Sequence, residues 1–130
     1  AQLEILPVDT AGQVKLSDLE VLLQNKSVAL VAIAHVSNVL GSVVDVQAIA
    51  HLIKRVNRDR ASSTRLLVDG AQAVPHLEVD VKKLGADFYV FSGHKMYGPM
   101  GIGALIVRQE LLNSGEMTPW LYGGGMVGKS

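Results

Sequence analysis

The chain has 130 residues, of which 48% are hydrophobic and 18% charged, with a mean hydropathy of +0.28; one domain is expected, and intrinsic disorder is excluded. Twelve basic side chains balance twelve acidic ones, so no net field draws the protein to nucleic acid or an anionic membrane. The absence of cysteine excludes disulfides, thiolate metal sites and a Cys nucleophile within the chain, and makes a cytoplasmic origin the expectation.

In chain order, Glu4 to Val8 reads as a short weak strand ended by Pro7 and Asp9. Ser17-Asp18-Leu19-Glu20 has the spacing of a capping box, and Leu19, Leu22 and Leu23 supply a helical stripe behind it. Val28 to His35 is a continuous apolar run that suits a strand covered on both faces, and is too short to span a bilayer. Asp45 is placed to cap a helix in which Val46, Ile49, Ala50, Ile53 and Val56 recur at helical spacing, with Lys54, Arg55 and Arg58 on a solvated face.

Arg65 to Asp69 reads as a second buried strand, and Asp80 to Leu84 as a short helix closed by Gly85. Phe88 to Ser92 is a third strand, Ala104 to Val107 a fourth, and Gln109 to Asn113 a short helix; the rest of the chain from Gly115 is loop-like. The alternation predicts an α/β fold, a mainly parallel sheet with helices on both faces. No secretory signal is visible. The start at Ala1 and the glycine-rich stretch from Gly123 to Ser130 lead us to expect a piece of a longer protein, with apolar surface left exposed at its edges.

Ligands of open parallel sheets bind beyond the carboxyl ends of the strands. Here those ends are polar: His35-Val36-Ser37-Asn38, Asp69-Gly70-Ala71-Gln72 and Ser92-Gly93-His94-Lys95. A carboxylate followed by glycine can meet a protonated ring nitrogen, and a glutamine three residues on can reach a phenolic oxygen of the same ring. A lysine can form a Schiff base with an aldehyde, while Ser and His donate to a phosphate. Pyridoxal 5'-phosphate asks for all of these groups.

The stretches His35 to Gly41, Asp69 to His76 and Ser92 to Pro99 follow one another as they do in cysteine desulfurases. The chain resembles the second group of that family, which mobilises sulfur for iron–sulfur clusters and belongs to the class V aminotransferase lineage of fold type I pyridoxal-phosphate enzymes. The likeness runs from Val28 to Gly125 and includes Gly98 to Gly103, Pro119-Trp120 and Gly123-Gly124-Gly125.

The resemblance implies that Lys95 is the Schiff-base lysine and Asp69 the partner of the pyridine nitrogen. It implies that Gln72 contacts the phenolic oxygen, that Ser92 and His94 hold the phosphate, and that Asn38 lies near cofactor and substrate. It further implies L-cysteine as substrate, L-alanine as product, a sulfur-acceptor protein and a homodimer. The family's persulfide-forming cysteine and carboxylate-gripping arginine lie in a later portion, and its ring-stacking histidine in an earlier one. The chain is then expected to be part of the large cofactor-binding domain, inactive in turnover alone. Other class V enzymes, such as a selenocysteine lyase or an epimerase, and a non-catalytic cofactor-binding module are the alternatives.

Taken singly, these residues have plainer readings. Lys95 alone is a surface lysine, Asp69-Gly70 a turn pair, and Gln72, Ser92 and His94 loop or capping groups; Asn38 also suits a turn. It is their order and separation that favour the site. His35 stands open between a core histidine and a site neighbour, and His51 and His76 read as structural or surface groups. No histidine pair has metal-site spacing, so no metal is expected. Gly123 to Ser130 spells a nucleotide-binding loop, G-x-x-x-x-G-K-[ST], but lacks the preceding strand and following helix that the motif needs. Asn25-Lys26-Ser27 is a formal glycosylation acceptor without a secretory context.

Overall fold

A computed structural model describes residues 2–115 and residue 117. Helix α1 spans Leu16–Asn25, strand β1 Leu30–Ala34, α2 Val46–Arg60 and β2 Arg65–Asp69. They are followed by α3 (Val81–Leu84), β3 (Phe88–Ser92), a 3₁₀ turn (Gly93–Met96), β4 (Gly103–Val107) and α4 (Gln109–Asn113). The strands form one sheet in sequence order. β1 and β2 pair in parallel, as do β2 and β3, whereas β4 runs antiparallel to β3.

Two expectations about the first thirty residues need correction. Glu4 to Val8 is not a strand; its only pairing among the described residues is the isolated bridge from Val8 to Val14. Pro7 has no N–H to give a ladder, and the Asp9 carboxylate turns the chain by accepting from Ala11 and Gln13 N–H, each at 2.9 Å. Ser17 does not cap α1 either. The helix begins at Leu16 behind Lys15, two residues earlier than a Ser17 cap would give, and the Ser17 hydroxyl donates to its neighbour Asp18 at 3.3 Å. The other caps follow the sequence: Asp45 accepts from Ala48 N–H at 2.9 Å, Asp80 accepts from Lys82 and Lys83 N–H, and Gly85 closes α3 at φ 73°.

The core lies between α1, α2 and one face of the sheet. Leu19 and Leu23 of α1 meet the predicted stripe of α2, with Val31, Leu66, Val68 and Tyr89 beneath. Each fully buried Val, Leu or Ile contributes roughly 1.5–3 kcal/mol relative to exposure. Arg55, on the outer face of α2, pairs with Glu20 at 2.8 Å. Strand register sorts the remaining side chains. Leu30, Ala32, Leu67, Phe88, Val90 and Leu105 alternate onto the opposite face. There Leu30 and Leu105 are about half exposed, while Leu67, Phe88 and Val90 are partly buried. None of the described helices is long and apolar enough to cross a membrane.

Candidate functional site at the carboxyl rim

The in-register parallel pairing of Ala34 with Asp69, and of Asp69 with Val90, brings the ends of β1, β2 and β3 to one rim. The three polar exits therefore converge as their spacing suggests. Asp69 is the last residue of β2, and Ser92 the last of β3. His94 and Lys95 sit in the 3₁₀ turn that follows, Gln72 in the turn after β2, and Asn38 in the turn after β1. Alternation along the strands puts Asp69 and Ser92 on the same face of the sheet, opposite the core.

Local hydrogen bonds fix each exit. Asp69 Oδ1 accepts from Ala71 N–H at 2.9 Å, an Asx turn that holds the carboxylate. Its carbonyl accepts from His35 N–H at 2.8 Å, and Gly70 O accepts from Ala73 and Val74 N–H. After β1, the Ser37 hydroxyl accepts from Val39 and Leu40 N–H, and the bridge between Val36 and Val43 closes a small loop carrying Asn38. After β3, Gly93 N–H donates to Ile102 O at 2.8 Å and Gly98 N–H to Gly93 O at 2.9 Å. Gly93 is required there, because a Cβ would stand 2.8 Å from Ile102.

The side chains of Asn38, His94, Lys95 and Asp69 are exposed, and those of Gln72 and Ser92 half-buried. Among the described residues the Lys95, His94, Ser92, Gln72 and Asn38 side chains have no intramolecular partner, and the Ser92 hydroxyl caps nothing. A carboxylate held by one oxygen, an amine, a hydroxyl and an imidazole are thus presented together, free to meet a ligand. The cavity of about 140 Å³ lined by Lys54, Arg65, Asp87 and Arg108 lies at the opposite end of the strands.

Beneath the rim sits a pair that the sequence reading did not assign. Tyr89 is 2% exposed, and its hydroxyl is hydrogen-bonded to Nδ1 of His35, itself 7% exposed, at 3.0 Å. The rings meet edge-on, with centroids 6.0 Å apart. Burial, and secondarily the Asp69 carboxylate, push the Tyr89 phenol up to about 12, while burial holds the His35 imidazole below its ordinary 6.5. His35 is therefore both of the things it could be, a core histidine and a neighbour of the site. A signal for Tyr89 existed: strand alternation turns it inward, and a buried phenol needs a polar partner.

Pro119-Trp120, Gly123-Gly124-Gly125 and the nucleotide-loop spelling that ends at Ser130 lie outside the described residues.

Comparison with known proteins places the chain in context. The family described as Aminotransferase class-V matches residues 1–130. A probable cysteine desulfurase of Mycolicibacterium paratuberculosis is 48% identical over 127 residues, covering 98% of this chain and 17% of that protein. A cysteine desulfurase of Escherichia coli O17:K52:H18 is 47% identical over 127 residues, covering 98% of this chain and 29% of that protein. The apo structure of a cysteine desulfurase from Thermococcus onnurineus NA1 superposes with a TM-score of 0.75 at 40% identity, covering 98% of this chain and 30% of that one. The chain thus spans less than a third of the length of these relatives.

Proposed function

The chain belongs to the class-V aminotransferase family, and from that premise we propose that it is the cofactor-bearing part of a pyridoxal-phosphate-dependent cysteine desulfurase, within the large domain of the longer protein. The observation that carries this reading is the rim itself: Asp69 and Ser92 on one face, with His94 and Lys95 in the turn beyond, all without competing partners for the groups a cofactor would need.

The donor set fits the cofactor. Asp69 keeps Oδ2 for a protonated ring nitrogen, because only Oδ1 is held by Ala71 N–H. Ser92 and His94 supply phosphate donors, Gln72 a contact for the phenolic oxygen, and Asn38 a polar group for cofactor and substrate. Lys95 is the amine that would bond the aldehyde carbon. Bound here, pyridoxal phosphate supplies an electron sink for the bond pair left at the substrate α-carbon.

The work of the chain's own residues then divides cleanly. Asp69 keeps the ring nitrogen protonated, Ser92 and His94 orient the phosphate end, and Lys95, when free, carries the α-proton. Lys95 must be a neutral amine to do so. No thiol in this sequence can accept sulfur; the persulfide forms on a cysteine elsewhere in the protein and passes to an acceptor protein for iron–sulfur assembly. The active unit is a cytoplasmic homodimer acting on L-cysteine.

The test is direct. Incubation of the chain with pyridoxal phosphate should give a visible band that borohydride reduces onto Lys95, and Lys95→Ala should abolish it. Reduction onto another lysine in the unaltered chain, or an undiminished band in the variant, overturns the reading.

A further inference from the structure

We propose that the buried Tyr89–His35 pair is a positioning device for Asp69, bracing from beneath the strand end on which that carboxylate stands. Asp69 and Ser92 stand on the side of the sheet away from the α1–α2 core. Tyr89 and His35 belong to the other side, where alternation aligns Val31 and Ile33 of the first strand with Val68 of the second and Tyr89 of the third, and His35 and Gly70 follow directly after their strands. Besides the electrostatic influence of the Asp69 carboxylate on the phenol, the pair reaches Asp69 through the main chain.

Three contacts make that path. First, the Tyr89 ring lies against the backbone of Gly70: a Cβ added there would fall 2.1 Å from Cε1 and 2.2 Å from Cζ and the hydroxyl oxygen. Gly70 is therefore glycine for want of space, and the ring cannot tilt upward without displacing it. Second, the ring is fixed in rotation by its hydroxyl, bound to His35 Nδ1 at 3.0 Å between two largely buried side chains. Third, His35 returns to the same strand end, its N–H donating to Asp69 O at 2.8 Å, while Gly70 N–H donates to Val90 O at 2.8 Å.

The peptide between Asp69 and Gly70 is thus held by His35 from one neighbouring strand and by Tyr89 and Val90 from the other. The Asx turn that sets the Asp69 carboxylate, through Ala71 N–H, begins at that peptide. A displacement of Gly70 is a displacement of the turn. An unbraced strand end would let the acid wander over distances that a hydrogen bond to a ring nitrogen does not tolerate. The bearing of this device on cofactor binding rests on the function proposed above, whereas its effect on the Asx turn does not.

The experiment uses Tyr89→Phe, which keeps the ring and removes the hydroxyl, together with His35→Ala and His35→Asn, the last of which restores a side-chain amide able to bond the phenol. Hydrogen exchange at the Ala71 amide should quicken about tenfold in Tyr89→Phe and His35→Ala, and recover in His35→Asn, with the Ile53 amide in the long core helix unchanged. An Ala71 amide that exchanges as in the unaltered chain overturns the proposal. Equal quickening at Ala71 and Ile53 also overturns it, since the pair would then serve only the core. With pyridoxal phosphate added, Tyr89→Phe should weaken binding about fivefold yet leave the borohydride-trapped fraction at saturation unchanged. Failure of the unaltered chain to trap cofactor on Lys95 would sink the proposed function, while the Ala71 exchange still decides on the brace.

Discussion

At the start of β2 and β3, Asp87 is 6% exposed and accepts from Leu66 N–H at 2.8 Å, with Arg108 at 3.3 Å and Arg65 at 4.0 Å. Beside it Thr64 donates its hydroxyl to Val28 O at 2.6 Å, and exchanges two bonds with the Asn57 side chain. At the far end of the same strands, Lys95, His94 and Ser92 have no such partners among the described residues. The two rims are a dozen or so ångströms of strand apart and obey opposite rules. Polar groups at the amino rim are spent on the fold, apart from Asp87 Oδ1, which is buried beside the guanidinium groups without a hydrogen bond; the Lys95, His94 and Ser92 side chains at the carboxyl rim are held back from it. A ligand can only recruit groups that the fold has not already satisfied.

The contrast breaks most readily at Asp87. Asp87→Ala strips Leu66 N–H of its acceptor and leaves two guanidinium groups facing each other, and should cost about 3 kcal/mol of stability. Urea unfolding measures it; a loss below roughly 1 kcal/mol would mean that the amino rim is no more committed to the fold than the other.

The pH dependence sharpens the comparison from the layer beneath the site. Tyr89, raised to about 12 in the fold from 10.0, contributes stability that is complete below pH 10 and lost as pH climbs through 12. His35, lowered from 6.5, contributes stability that is present above pH 6.5 and lost as pH falls below it. Denaturation monitored against pH should show a plateau between these limits, and Tyr89→Phe should flatten the alkaline side. An alkaline limb unchanged by that variant would detach the pair from the fold's energetics.

The smallest effect is expected at Lys95. Because Lys95 is exposed and has no partner among the described residues, its replacement by alanine should cost the protein less than about 0.5 kcal/mol of stability, even as cofactor capture disappears. A substantial loss of stability in Lys95→Ala would erase the distinction between the rims.

Much of this was legible in the sequence, and the exceptions have physical reasons. Arg65 to Asp69 and Phe88 to Ser92 are observed as read, because each is an apolar run stopped by a polar group and a glycine. The α2 stripe was equally plain, since Val46, Ile49, Ala50, Ile53 and Val56 are all buried. The direction of β4 was not plain: its apolar run looks the same in either sense. The clue lay in the short connection over residues 93–102, which holds only a 3₁₀ turn where a parallel crossover needs a dozen or more residues and usually a helix. At the site, the strand-end groups could be read because chemistry is carried by residue type. The Tyr89–His35 pair and the Asp87 cluster could not, because they join residues far apart in the chain through packing alone.

That reversal of β4 bears on how Lys95 can move. The ten residues after Ser92 leave the sheet and re-enter it beside the strand they left, with Ser92 facing Gly103 across the ladder. The lysine is therefore carried on a hairpin clipped at both jaws, and the backbone can neither slide nor swing without unzipping main-chain bonds. Whatever travel the amine needs must come from its own four-carbon stem, a flexible tether on a stationary mount.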